Sequence, residues 1–219
     1  MSVSVGIFDI AIERLQKAWH QLQDQSDWEN VQALASYGLG YLRITRQIPR
    51  AEDERTRCGS SESGAEVAMD ESDDEALPVQ RTPRSAVYRV IYDIVHSTTY
   101  EVPVLYLTFS DSPGKTRPSP DEIYPLLVPN AYRPQIKSVG IMGALSTTEH
   151  PIMGVPAYFI HPCRTQEAMA PLLLDRDVKP EHYLMLWLGM IGGSAGLNMP
   201  VELAQHMTET SVASHKGGA

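Results

Sequence analysis

Cysteine is nearly absent from this chain: 219 residues contain two, Cys58 and Cys163. The count excludes a disulfide framework, and such usage fits a reducing compartment. Long apolar runs are missing too. The longest, Tyr183 to Leu188, is far shorter than the roughly 20 residues a membrane span needs. The first residues, MSVSVGIFDIAIERLQ, lack the basic start, apolar core and small-residue cleavage site of a secretory signal. The expectation is a soluble, cytoplasmic protein with no stable membrane insertion. A basic stripe is also lacking, so nucleic acid is not an expected partner. The net charge of −9 is local: residues 51–77 hold ten Asp or Glu against Arg55 and Arg57. The rest of the chain is nearly neutral.

The chain that remains is long enough for one domain with a sizeable core. Ile7, Ala11, Leu15, Ala18 and Leu22 recur at three- and four-residue spacing, which predicts an amphipathic helix over about 6–24. The segment 28–37 reads as further helix or loop before Gly38 and Gly40. Residues 41–48 alternate and read as the first strand, ended by Pro49. Residues 50–84 are rich in Glu, Asp, Ser and Gly, and are expected to form a disordered insertion within the domain. Residues 86–96 and 102–109 flank Ser97-Thr98-Thr99-Tyr100 and predict a hairpin. Ser119-Pro120-Asp121-Glu122 carries the signature of a helix start. Two more strands are expected over 136–145 and 155–160, then helices over 165–174 and 181–191, the latter closed by Gly192-Gly193. The predicted architecture is α+β: an antiparallel sheet of about four or more strands, flanked by an N-terminal helix and C-terminal helices. It forms a single domain over 1–207, with a flexible tail over 208–219.

The chemistry concentrates in Tyr158-Phe159-Ile160-His161-Pro162-Cys163-Arg164-Thr165. An apolar strand runs into Pro162, which has no N–H for the ladder and holds His161 extended. Cys163 is therefore delivered where the backbone leaves the sheet. Arg164 beside it favours a thiolate. The plainer reading is a small buried hydrophobe, the commoner role of a lone cysteine. Zinc is rejected, because position 166 is Gln and no third ligand stands at useful spacing. A cysteine hydrolase would need a base, with His150, His161, His182 and His206 as candidates. The Gly189 to Gly196 stretch lacks the Lys-Ser/Thr of a phosphate loop.

Four blocks in order carry a resemblance. They are Tyr92-Asp93-Ile94-Val95-His96-Ser97 leading to Tyr100-Glu101-Val102-Pro103-Val104-Leu105-Tyr106; Glu149-His150-Pro151-Ile152-Met153-Gly154; His161-Pro162-Cys163-Arg164-Thr165; and Tyr183-Leu184-Met185-Leu186-Trp187-Leu188 with Gly196-Leu197. Together they resemble the autophagy E2-like conjugating enzymes over most of residues 86–200, and more weakly over the first helix and strand. Thr165 and the modest length favour the branch that carries the ubiquitin-like autophagy-related protein twelve.

The resemblance implies an E2-like core. It also implies that Cys163 receives autophagy-related protein twelve as a thioester from the E1-like autophagy-related protein seven, and passes it to a lysine of autophagy-related protein five. ATP would be used by the E1-like enzyme, with no cofactor on this chain. Ordinary E2 enzymes place an Asn in a His-Pro-Asn sequence; here cysteine itself follows His-Pro. Thr165, Thr148 or a backbone N–H remain as oxyanion donors, and Glu149 or His150 as assistants to the lysine, each of these side chains being more readily read as a loop or structural residue. The hairpin turn resembles the family's substrate-facing edge. That implies partner binding by Tyr100, Val102 and Val104, or, for Tyr100, packing of the turn. The alternatives are the lipid-conjugating branch of the family and a non-catalytic adaptor that binds a partner strand along its hairpin edge.

Replacing residues 52–80 by a short Gly/Ser linker should leave the thermal midpoint nearly unchanged, because loop-closure entropy varies slowly with length. A collapse of the midpoint would show that the acidic stretch packs.

Overall fold

In the computed structural model the described residues are 3–22, 26–49, 87–110, 118, 120–128, 145–173 and 178–216. The expected insertion at 50–84, Cys58, and residues 136–144 of an expected strand lie outside them. Helix α1 (Val5–Gln21) starts at Ser4, whose hydroxyl accepts the Ile7 N–H. Its buried face is Phe8, Ala11, Ile12, Leu15, Ala18 and Trp19. Ile7, counted on that face from spacing alone, is 43% exposed, and Phe8 takes its place.

Six antiparallel strands follow: β1 (Asn30–Ser36), β2 (Leu39–Pro49), β3 (Val87–Ser97), β4 (Val102–Ser110), β5 (Leu145–Glu149) and β6 (Pro156–Ile160). They form one sheet in the order β1-β2-β3-β4-β6-β5. The α+β expectation holds, with two strands that sequence patterning did not resolve. Segment 28–37 is strand β1 rather than helix. Tyr37 and Gly38, both at positive φ, make the tight turn that pairs it with β2 from Asn30↔Thr45 to Ser36↔Leu39. Its alternation is weak because it is an edge strand, and Gln16 Oε1 of α1 accepts the Ala33 N–H on it (2.7 Å). Strand β5 occupies a stretch that reads as a connection because it is short and hydroxyl-rich.

Cross-strand rows give the sheet two unlike faces. Leu42, Ile94, Leu105 and Ile160, with Ile44, Tyr92, Leu107 and Tyr158, form the buried face. It packs in one core with α1 and with helix α4 (Pro180–Ile191), through Leu15, Leu184, Trp187 and Leu188. Each such fully buried side chain contributes about 1.5–3 kcal/mol by leaving water. The other face carries the row Arg43, Asp93, Tyr106 and Phe159.

Helix α2 (Pro120–Leu127) lies between β4 and β5 in the chain, helix α3 (Thr165–Leu173) follows β6, and helix α5 (Val201–Lys216) comes last. The tail expected to be flexible from residue 208 is helical as far as Lys216. Helix α4 ends at Ile191 with Gly192 as its cap, as expected; Gly192 is itself right-handed, so a 3-10 turn carries the chain on through Ala195, and the left-handed residue is Gly196 at φ 72. Tyr92 Oη donates to Ala195 O and Trp28 Nε1 to Asn198 O, while Arg46 reaches Gly196 O. These bonds fasten the closing turn to the sheet. Burial raises the Tyr92 phenol well above its ordinary range.

Gly196 has two reasons to be glycine. Its φ is left-handed, and a Cβ there would lie 2.4 Å from Leu127 O. Gly196→Ala should cost about 2 kcal/mol or more, since the conformational penalty alone is about 1–2 kcal/mol. A urea midpoint equal to wild type would refute this account of the turn.

Candidate active site

Strand β6 ends at Ile160, and the chain turns at once. His161 is extended (φ −66, ψ 128), Pro162–Arg164 make a 3-10 turn, and α3 begins at Thr165. Pro162 is buried and forces the turn, so Cys163 is lifted to the surface, where its thiol is exposed. His161 caps the turn: its Nδ1 accepts the Cys163 N–H at 3.2 Å. That bond assigns the ring a tautomer with hydrogen on Nε2.

The His161 ring is held between two aromatics. Tyr100 meets it edge-on at 5.6 Å and 77°, and Phe159 lies at 5.9 Å. Gln166 Nε2 donates to Tyr100 O at 2.9 Å. The β3–β4 turn is therefore bonded to the residues on both sides of Cys163. Its far side is held as well, since Val3 N donates to Glu101 O (2.9 Å) and His96 Nε2 lies 2.6 Å from Val3 O. Tyr100, read as a partner contact or as packing of its turn, stands next to the thiol's own turn and stays 39% exposed.

The same geometry corrects other expectations. Val102 and Val104, read as partner-binding, are buried at 0% and 3% exposure, because their strand is covered on both faces. Thr148, Glu149 and His150, read as assistants to the chemistry, are carried away from Cys163 by the strand register. Leu145 pairs with Ile160 at the Cys163 end, whereas Thr148 pairs with Ala157 and Glu149 with Pro156. At about 3.3 Å per residue, Thr148 and Glu149 sit some 10–13 Å back along the strand. Thr165 adjoins Cys163 but is 4% exposed and packs beneath the turn, its N–H bonded to Pro162 O. Arg164 does not stand free beside the thiol. Its Nε lies 3.7 Å from Glu167, and both side chains are largely exposed.

His150 has a different place. It is 1% exposed, its Nδ1 accepts the N–H groups of Ile152 and Met153 at 3.2 Å, and its Nε2 lies 3.0 Å from Asp93 Oδ2. That last contact has the distance of an ion pair but not the line of a good hydrogen bond, and Nε2 has no other partner. Arg43 grips Asp93 with two parallel bonds of 2.8 Å, and it also reaches Met153 Sδ at 3.1 Å and lies over the Tyr41 ring at 5.5 Å. Burial alone would raise the Asp93 carboxyl. The His150 and Arg43 contacts outweigh it and hold the group below its ordinary range. This cluster braces the β5–β6 turn, away from Cys163 along the strand register. Sequence reasoning missed it, and missed the caps made by His161 and Gln166. The His-Pro pair before Cys163 was the available signal for the first cap; nothing in sequence spacing brings Arg43 to Asp93.

Residues 7–202 match the family described as "Autophagocytosis associated protein, active-site domain". The chain is 36% identical over 135 residues to a Gibberella zeae protein named ubiquitin-like-conjugating enzyme ATG10, covering 61% of this chain and 56% of the relative. A Homo sapiens protein of that name is 31% identical over 134 residues, 60% of each chain. One from Dictyostelium discoideum is 33% identical over 126 residues, covering 52% and 54%. The matched region thus spans between half and two thirds of each relative. Among the described residues, no helix is long and apolar enough to cross a membrane.

Asp93→Asn should remove about 3–5 kcal/mol at neutral pH, because it leaves the Arg43 guanidinium without its counter-charge. The wild-type contribution is present above the unfolded carboxyl pKa of about 4 and fades as pH falls through the lower folded value. Denaturant titrations between neutral pH and about pH 2 should therefore show the two proteins converging in acid. A constant gap across that range would refute the pairing.

Proposed function

The chain belongs to the autophagocytosis-associated active-site family, and on that premise we propose that it is an E2-like enzyme with Cys163 as its carrier thiol. The observation that carries the reading is an exposed thiol on a turn whose flanks are both bonded to the adjacent hairpin. The cargo is the ubiquitin-like autophagy-related protein twelve, delivered by the E1-like protein seven and passed to a lysine of protein five. The branch assignment rests on the likeness to proteins named ATG10. The reaction is placed in the cytoplasm, where a reactive thiol stays reduced.

In the first step Cys163 Sγ attacks the carbonyl of the E1 thioester, and the E1 thiolate leaves. In the second, a lysine amine attacks the carbonyl of the Cys163 thioester. The amine gives up a proton, an amide bond forms, and the Cys163 thiolate leaves. Both steps exchange an already activated acyl group, so the main demands on the protein are access and orientation. Pro162 and the His161 cap orient the thiol. Tyr100, partly exposed and edge-on to His161, is the residue assigned to the incoming acceptor. Its position ties acceptor contact to the ring that caps the thiol's turn.

The test is reconstitution with the E1-like enzyme, ATP and the ubiquitin-like protein. Wild type should give an adduct that reductant removes, Cys163→Ala none, and Cys163→Ser an adduct that survives reductant, since thiols cleave thioesters and not oxyesters. Cys58→Ser should charge like wild type. In single-turnover discharge of the preformed thioester, Tyr100→Ala should slow transfer about tenfold or more. A well-charged Cys163→Ala protein would end the proposal, and a non-catalytic adaptor would give no adduct with any variant.

A further inference from the structure

Helices α3, α4 and α5 leave a groove between them, away from the sheet and separate from the Cys163 turn. Its volume is about 710 Å³, and its walls include Leu172, Met185, Leu186, Met190, Met199 and Val201. Two of these, Leu172 at the end of α3 and Val201 at the start of α5, are 38% and 63% exposed. Large apolar side chains left open at the mouth of a groove mark a surface made to be covered. Three of the walls are methionine, whose unbranched thioether adapts to an incoming surface.

Gly189 adds an independent observation. It lies inside α4, faces the groove and is exposed. A Cβ built on it would meet nothing within 4 Å, and its φ is not in the left-handed region. Gly196 is required by the fold, but no described neighbour requires Gly189. A glycine at such a position costs about 1 kcal/mol of helix stability relative to alanine. What it provides is a bare stretch of backbone at the floor of the groove, where another chain can approach closely.

Shape and charge then define the occupant. Helix α4 lines the groove from Met185 to Met190 and helix α5 from Val201 to Glu209, a stretch of about 13 Å at 1.5 Å per residue, so the groove presents between two and three turns. Among the described residues, the one charged group on its lining is Glu209, and no Lys or Arg lines it. Exposed Glu202 stands beside Val201 at its mouth. We propose that this groove receives an amphipathic helix of a partner protein, with its apolar face on the methionines and Gly189 and with lysine or arginine along its flanks. Such a helix reads as anchors at i, i+3, i+4 and i+7. The groove's wall α3 begins two residues after Cys163, so a partner seated there is held against the helix that carries the thiol's turn. The proposal does not depend on the chemistry assigned to Cys163, and its test reads binding alone.

The probe is a fluorescein-labelled peptide of about four helical turns, with leucine at the anchor positions and lysine elsewhere. Its controls are the same peptide with glutamate for lysine and a scramble of the same composition. Fluorescence anisotropy is measured on the full chain at about 0.15 M salt, where long-range attraction is screened. The leucine/lysine peptide should saturate, and both controls should bind at least about tenfold more weakly. Gly189→Leu, which fills the floor, should weaken binding about tenfold or more. It should melt no lower than wild type, because leucine is the better helix former. Val201→Lys, at an exposed position, should weaken binding comparably and serves if Gly189→Leu fails to fold. Equal binding by these variants, or by the glutamate or scrambled peptide, would overturn the proposal, as would no binding at all. Concentration-dependent dimers in sedimentation, abolished by Gly189→Leu, would also overturn it by showing a second copy as the occupant.

Discussion

Everything at the thiol follows from how β6 is registered against β4. The pairing is short, Tyr106↔Phe159 and Leu107↔Tyr158. Because the strands are antiparallel, the start of β4 and the end of β6 fall at the same end of the sheet. The β3–β4 turn and the Cys163 turn must then meet there. Tyr100 on His161 and Gln166 on the Tyr100 carbonyl are consequences of that register. A slip by one residue would turn Phe159 and Tyr158 to opposite faces and break both contacts. The opposite end of β6 obeys the same rule, which is why Glu149 and His150 are carried away from the chemistry.

So short a pairing needs reinforcement, and the two faces of the sheet supply it differently. On the buried face, Tyr158 and Ile160 join the core under α1 and α4. On the other face the lock is electrostatic: Arg43 and Asp93 on neighbouring strands hold His150, and His150 ties down the turn that leads into β6. Charge pairs this deeply buried contribute less net stability than apolar packing of equal volume, because desolvation offsets most of their attraction. What they contribute is uniqueness. Few arrangements satisfy the Asp93 carboxylate, so the β5–β6 hairpin has one place to sit. The thiol's turn inherits that precision through a five-residue strand.

How far the sequence revealed this depended on the range of the interactions. Local signals read well. The apolar stripe of α1, the β3–β4 hairpin, and the proline that ends β6 are all encoded within a few residues of where they act. So was the exposed position of Cys163, which follows from Pro162. Edge and short strands read poorly. β1 and β5 have weak alternation because one side of each lacks a strand partner among the described residues. The site residues chosen by nearness in a motif, Thr148, Glu149 and His150, failed for a deeper reason. Motif order follows the chain, while proximity follows the register of β5 on β6, and a hairpin sends consecutive residues to opposite ends of a sheet. Val102 and Val104 shared an apolar pattern that fits either a partner-facing edge or a covered strand, and burial chose the second.

The residues that remain beside Cys163 are few and mostly serve geometry. His161 gives its Nδ1 to the Cys163 N–H, Pro162 and Thr165 are buried, and Arg164 is drawn toward Glu167. That is a sparse arrangement for a hydrolase, which must activate water against an unactivated bond and so needs a base aimed at its nucleophile. It would suffice for the acyl exchange proposed above, in which the thioester arrives activated and the entering and leaving groups of the first step are alike. In such chemistry the larger gain comes from holding two reactants in line, and a turn bonded on both flanks does that without moving a proton. The cap therefore matters more than a general base would. By occupying the Cys163 N–H and wedging its ring between Tyr100 and Phe159, His161 converts the strand register into a direction for the thiol.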